Sequence, residues 1–271
     1  MQGIYDFYHD NAHEELDCIA SASSGAYFSR ALVESRMRSD LPVLRLDCPQ
    51  GFELRPDAER KGFVAGWLLS QVQPLLAALP ATARSYYGMD FARSGDLSAL
   101  VPLIEDEHLR RTAPFIIELR NVPFEQQRQV LFFVVDGLPN FTGGAGDATG
   151  NGGYLAEVAM QQYGADRIQR VMLTQSWYME QMPKYRAAFE DGDITLPKDE
   201  GVLSDHRAVQ LVRGVPKVPE GASCKDPRGG KRHGDVAVAG ALAWFASLTA
   251  PGPFEFRSGQ RIDADGTKGF L

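Results

Sequence analysis

The stretch Ser85-Tyr86-Tyr87-Gly88-Met89-Asp90-Phe91-Ala92-Arg93-Ser94-Gly95-Asp96 decides how this chain is read. Strand alternation puts Gly88, Asp90 and Ala92 on one face and Tyr87, Met89 and Phe91 on the other. A carboxylate in mid-strand is costly to bury without a partner. Its neighbours on that face are minimal in size, which predicts room for hydrated ions beside Asp90. The plainer alternative is an edge-strand aspartate or a turn cap. Arg93-Ser94-Gly95-Asp96 predicts a turn that ends the strand.

Working outward, residues 98–104 and 113–119 read as two more strands, joined by the polar turn Glu105-Asp106-Glu107-His108. Three strands with short turns form an antiparallel meander. Residues 123–137 read as a helix with Pro in its first turn and Gly at its end. A glycine-rich strand follows at 141–147, a helix at 151–163, a strand at 168–173 and a helix at 178–190. A short strand at 194–196, a helix at 203–212, a Pro- and Gly-rich loop at 216–230 and a strong helix at 234–248 complete the series. Upstream, 62–79 predicts a helix and 80–84 a linker. Meander first, then α-β-α units, predicts a mixed sheet with helices on both faces. That order is the one of the ribonuclease H-like fold. In that fold the first strand, the fourth strand and the late helix bring acids to one point. The expected division is an extension over 1–84, the ribonuclease H-like domain over 85–250 and a tail over 251–271.

Two more aspartates stand at the corresponding places. Asp147 ends the strand Thr142-Gly143-Gly144-Ala145-Gly146-Asp147, where small residues on both faces require a close approach by something else. Its bland reading is an N-cap or Asx turn. Asp235 opens the helix Val236-Ala237-Val238-Ala239-Gly240-Ala241, where the helix dipole favours an ionised carboxylate; simple capping is the bland reading. Three converging carboxylates can hold two divalent ions, and two such ions can cleave a phosphodiester. Hard oxygen donors suit Mg²⁺ or Mn²⁺ over zinc. Other acids, Asp96, Glu157 and Asp205 with its neighbour His206, read as surface residues.

The charge balance, 28 basic against 35 acidic residues, is not that of a non-specific DNA binder. Basic residues do gather before Asp235, and Lys231, Arg232 and His233 are the candidate DNA contacts. Three scattered cysteines, Cys18, Cys48 and Cys224, predict neither a disulfide framework nor a structural zinc site. No apolar run reaches the length of a membrane span and Met1–Asp6 does not begin a signal peptide, so a cytoplasmic protein is expected.

At Gly88-Met89-Asp90-Phe91-Ala92-Arg93-Ser94-Gly95-Asp96, Asp147-Ala148-Thr149-Gly150-Asn151-Gly152 and His233-Gly234-Asp235, the chain resembles the nuclease domain of tailed-phage terminase large subunits, the Mu-like branch above all. Glu14-Glu15-Leu16-Asp17-Cys18-Ile19-Ala20-Ser21 and Tyr27-Phe28-Ser29-Arg30 resemble the segment after the ATPase core in that family. The resemblance implies a two-metal endonuclease of phage DNA packaging, with Asp90, Asp147 and Asp235 as ligands. It implies double-stranded DNA as substrate, and the portal, the small terminase subunit and an ATPase half as partners in a bacterial host. No Gly-x-x-x-x-Gly-Lys-Ser/Thr phosphate loop occurs, so no ATP site is expected here. The chain then reads as a nuclease half, a split gene or a prophage remnant.

Other readings stay open. An actin-like phosphotransferase shares the topology, and Gly146–Gly152 passes for a phosphate loop, but that architecture needs two lobes. A transposase or integrase ordinarily ends its acidic triad with Glu about 35 residues after the second Asp, far short of Asp235. A prophage remnant that docks a packaging partner without cutting is the non-enzymatic alternative.

Overall fold

A computed structural model describes residues 26–91, 97–150, 152–219, 221, 224–225, 231–250, 261–262 and 268–269. The predicted turn at Arg93–Asp96, the family-like segment 14–21 and nearly all of the tail lie outside the described residues.

The strand holding Asp90, β3 (Arg84–Asp90), pairs antiparallel with β4 (Leu97–Glu105), from Arg84↔Glu105 to Asp90↔Ala99. Strand β4 in turn pairs antiparallel with β6 (Ile116–Arg120). On its other side β3 runs parallel to β7 (Phe141–Asp147), and β7 parallel to β8 (Ile168–Val171). The spatial order β6-β4-β3-β7-β8 therefore carries the three-stranded meander at one side and the parallel strands at the other. This is the ribonuclease H-like sheet that the element order predicts.

Strands outside the expected set enlarge the sheet to nine. β2 (Val43–Asp47) pairs parallel with the free side of β6, from Val43↔Ile116 to Asp47↔Arg120. β1 (Met37–Arg38) pairs with β9 (Ile194–Pro197), which pairs with β5 (Arg111–Thr112) at the far end of β4. Residues 80–83 thus lead from the helices of the first part of the chain into β3 of the same sheet. The signal for β2 is brief, because the apolar–polar alternation of Leu44-Arg45-Leu46-Asp47 spans only a few residues.

Helices cover both faces. On one, α2 (Asp57–Trp67), α3 (Gln73–Ala77), α4 (Phe124–Gly137) and α5 (Gly152–Tyr163) bury Val64, Leu68, Val130, Leu131, Val134 and Leu155 against Tyr87, Met89, Leu100 and Ile117. Between α2 and α3 the helix loosens into a π turn, Leu68–Val72, just ahead of Pro74, which has no N–H to donate. On the other face, α1 (Arg30–Glu34), α6 (Gln175–Asp191), α7 (Glu200–Arg207) and α8 (Asp235–Thr249) pack Met182, Tyr185, Phe189, Ala239 and Ala243 against Tyr86, Val101 and Ile116. The alternation of Tyr86 and Tyr87 between the two cores is the period of a strand buried on both faces.

One predicted helix is corrected. Residues 203–212 split into α7, capped by Asp199, and the strand β10 (Gln210–Val212). β10 turns back through Arg213 and Gly214, both at positive φ, into β11 (Val215–Lys217). An Arg-Gly pair in a two-residue hairpin turn is a weaker signal than Asn-Gly, and the apolar residues of 209–212 continued the helical pattern. Within the predicted loop, β12 (Cys224–Lys225) pairs with β13 (Lys231–Arg232). Among the described residues no helix is long and apolar enough to cross a membrane.

The sheet-to-α8 contact fixes the position of everything on that face. A Cβ at Gly88 would stand 2.0 Å from the Ala239 carbonyl oxygen and 2.2 Å from the Ala243 nitrogen. The small face at Gly88 is therefore filled by helix backbone. Gly88→Ala is expected to lower stability by about 3 kcal/mol, since helix backbone cannot yield as a side-chain tip does. Gly66→Ala, in α2 with open space around it, is expected to be neutral or stabilising by up to about 1 kcal/mol. Urea unfolding of the two variants beside the parent checks both.

Candidate active site

Asp90 and Asp147 come together because β3 and β7 are parallel neighbours in register. Met89 pairs with Gly146, so the next residue on each strand is one of the two acids, at the same edge of the sheet. Adjacent strands lie about 4.8 Å apart, which sets the spacing of their Cα atoms. Asp235 arrives from above. Ala239 lies against Gly88, and Asp235 is four residues before Ala239 on the same side of α8. One helical turn back spans about 6 Å, close to the two-residue rise from Gly88 to Asp90. The helix N-terminus thus lies over the strand end.

Each acid has its own local hold. Asp147 accepts the Thr149 N–H at 2.8 Å, an Asx turn that orients the carboxylate, so the bland reading of this residue is also realised. Thr149 Oγ1 accepts the Leu173 N–H at 3.2 Å and ties that loop to the end of β8. Asp235 accepts the His233 N–H at 3.0 Å, and Gly234, at φ 82°, forms the turn into α8.

The electrostatics place Asp90 within reach of the other acids. Burial pushes the Asp90 carboxyl well above the usual carboxylate range, and Asp235, Asp147 and Asp205 push it further. Asp235 is pushed up to about 6, first by burial and then by Asp205. Asp147 is raised by burial. The Tyr178 phenol, at the start of α6, is raised by burial and then by Asp90 and Asp147, so it borders the same space. Among the described residues, the one basic side chain acting on the three acids is Arg232, the weakest influence on Asp235. A buried acid cluster with so little counter-charge, offering oxygen donors only, fits a hard divalent cation in charge and chemistry. As the side chains lie, no group of three His, Cys, Asp or Glu among the described residues closes around a metal position.

The expected DNA contacts divide. Lys231 is exposed and His233 half-buried. Arg232 is 1% exposed and cannot meet DNA. Its Nε and Nη2 donate to the two oxygens of Asp205 at 3.0 and 2.8 Å, and Nη2 also donates to Glu118 at 2.6 Å. Asp205 and His206 are likewise corrected, from surface residues to full burial. They do not pair: the His206 imidazole bonds the Val202 carbonyl through Nδ1 at 2.7 Å and the Tyr185 hydroxyl through Nε2 at 3.0 Å. Burial pushes this imidazole down to about 4. Glu157 is exposed and lies 3.9 Å from Arg170, and Asp96 lies outside the described residues. The reading of residues missed Tyr178 and the Arg232–Asp205 pair. Nothing in their local pattern separates them from a helix surface or a basic loop.

No family model matches the chain. It is 44% identical over 240 residues to "Probable terminase, large subunit gp28" of Escherichia phage Mu, covering 88% of this chain and 44% of that protein. It is 41% identical over 247 residues to "Mu-like prophage FluMu protein gp28" of Haemophilus influenzae, covering 91% of this chain and 48% of that protein. Among solved structures, the large terminase nuclease of thermophilic phage G20c with bound magnesium aligns at 17% identity and a TM-score of 0.44, over 60% of this chain and 81% of that one.

The raised carboxyl of Asp235 has a consequence for stability. A raised acid stabilises the fold fully below its unfolded pKa and loses that contribution as pH rises through its folded value, here about 6. His206 works oppositely, stabilising above its unfolded value and losing that as pH falls toward about 4. A comparison with Asp235→Asn isolates the acid. In EDTA the variant is expected to exceed the parent by on the order of 2 kcal/mol at pH 8. That gap should narrow as pH falls through 6 and close near 4, as read by urea unfolding at each pH.

Proposed function

The chain belongs with the Mu-like terminase large subunits, of whose length it spans about half, and on that premise we propose that it is a DNA-cutting portion of such a protein. The reaction is hydrolysis of phosphodiester bonds in double-stranded phage DNA during packaging in a bacterial host. The observation that carries this reading is the placement of Asp90 and Asp147 at one sheet edge, with the charges of both Asp147 and Asp235 raising Asp90.

Asp90, Asp147 and Asp235 would hold two Mg²⁺ or Mn²⁺ ions, which when bound supply an activated water and stabilise the leaving oxygen. The chain's own groups do the orienting. The Thr149 amide aims Asp147, and the His233 amide aims Asp235. The N-terminus of α8 favours negative charge at Asp235 and at an approaching phosphate. Tyr178 stands close enough to Asp90 and Asp147 to feel their charge. Lys231, exposed on β13, is suited to contact the DNA backbone, and such contacts weaken with salt. With no phosphate-loop sequence present, ATP hydrolysis and translocation fall to other parts of the machine, with the portal and small subunit as partners.

A second reading, a packaging domain that docks without cutting, is favoured by one observation: the described His, Cys, Asp and Glu side chains do not already close around a metal position. A plasmid-nicking assay in Mn²⁺, Mg²⁺ or EDTA separates the two. The parent is expected to nick or linearise DNA with either metal and to be silent in EDTA. Asp90→Ala should fall to background while its circular dichroism matches the parent. Equal cleavage by Asp90→Ala, or none by folded parent, would sink the nuclease reading.

A further inference from the structure

Asp205 lies beside two of the three candidate ligands, and its charge reaches Asp90 and Asp235. Its geometry nevertheless differs from theirs. Oδ1 accepts from Arg232 Nε, and Oδ2 accepts both from Arg232 Nη2 and from the Val236 N–H at 3.0 Å. Val236 directly follows Asp235 in the first turn of α8. The first amides of a helix have no partner within it. Gly234, the residue before this helix, has no side chain to cap it. Asp205, on α7, supplies that bond from a different helix.

A buried carboxylate needs a matching cation, and Arg232 meets this need. The fit is tight, because a Cβ at Gly201 would stand 2.8 Å from the guanidinium carbon. Arg232 is itself held by Glu118 on β6, whose other oxygen accepts from Arg45 Nε at 2.7 Å. Arg45, on β2, donates through Nη2 to Asp199 at 2.8 Å. Asp199 caps the N-terminus of α7 through the Gly201 N–H at 2.8 Å. The circuit Asp199–Arg45–Glu118–Arg232–Asp205 begins and ends on α7 and joins it to β2, β6 and α8.

We propose that Asp205, clamped by Arg232, is the positioning residue for Asp235: a helix anchor and not a fourth metal ligand. Arg45 extends the anchor to β2, so the part of the chain before residue 84 helps to hold the candidate site. This rests on the reading of Asp235 as a metal ligand.

The test uses the full chain with Asp205→Asn, Arg232→Lys, Arg232→Met and Asp235→Asn. Two quantities are read: amide hydrogen exchange at Val236 in EDTA, and Mn²⁺ binding by calorimetry. In Asp205→Asn and Arg232→Met, exchange at Val236 should rise about tenfold or more while β3 and β7 keep parental rates. Mn²⁺ affinity should fall roughly tenfold without being lost, the size expected for a group that orients a ligand. Arg232→Lys should lie between these and the parent. Asp235→Asn should keep Val236 protected and lose Mn²⁺ binding. If Asp205→Asn keeps Val236 protected and binds Mn²⁺ no better than Asp235→Asn, Asp205 is itself a ligand and the proposal fails. It also fails if neither quantity moves. If the parent binds no Mn²⁺, the metal-nuclease reading falls. The exchange measurement alone then decides the anchor: faster exchange upholds it and parental exchange overturns it. Should Asp205→Asn or Arg232→Met not fold, Arg232→Lys decides by the same readouts.

Discussion

The contact between Gly88 and the backbone of α8 is the constraint on which the candidate site depends. With no Cβ on Gly88, the Ala239 carbonyl and the Ala243 amide come down onto β3 at a distance no other residue permits. Gly143 against Ala250 and Gly240 against Tyr185 extend the same economy of volume along the helix. A helix so close cannot slide or rotate without collision, because densely packed interiors do not deform continuously. Its first residue is therefore fixed over the end of the strand, and the first residue is Asp235.

Charge is the second ordering principle. Four aspartates, Asp90, Asp147, Asp205 and Asp235, crowd one end of the sheet. Among the described residues, Asp205 alone of the four receives a full counter-charge, from Arg232. The division of labour follows from that difference. A carboxylate held by a guanidinium serves as an anchor, whereas oxygen donors without such a partner are open to other cations. The same two arginines, Arg45 on β2 and Arg232 on β13, join their strands to β6 and to the late helix α7. Segments distant in sequence are thereby made parts of one site.

Much of the architecture was legible. Residues 141–147 and the α8 helix were read from glycine and alanine content and from period, within a residue of their observed bounds. β3 and β4 were read with similar closeness. The segments that misled were those where local pattern and tertiary partner disagree. β2 is too short a run to stand as a strand on its own pattern, and it is held by pairing along the edge of β6. β10 follows a helix without an apolar break and exists because Arg213 and Gly214 turn the chain back.

What the sequence determined by itself is the order of elements and the three aspartates at their ends, since periodicity, glycine content and helix-start preference are local properties carried by a few neighbouring residues. What only the tertiary structure decided is the fate of each polar side chain. Arg232 and Lys231 are adjacent in a basic run, yet one lies sealed between Asp205 and Glu118 and the other faces solvent. Asp205 and Asp235 are both helical aspartates, yet one is clamped and the other is not. The reason is that burial and counter-charge depend on partners as many as 114 residues away. No local pattern records which of two neighbouring side chains will meet them.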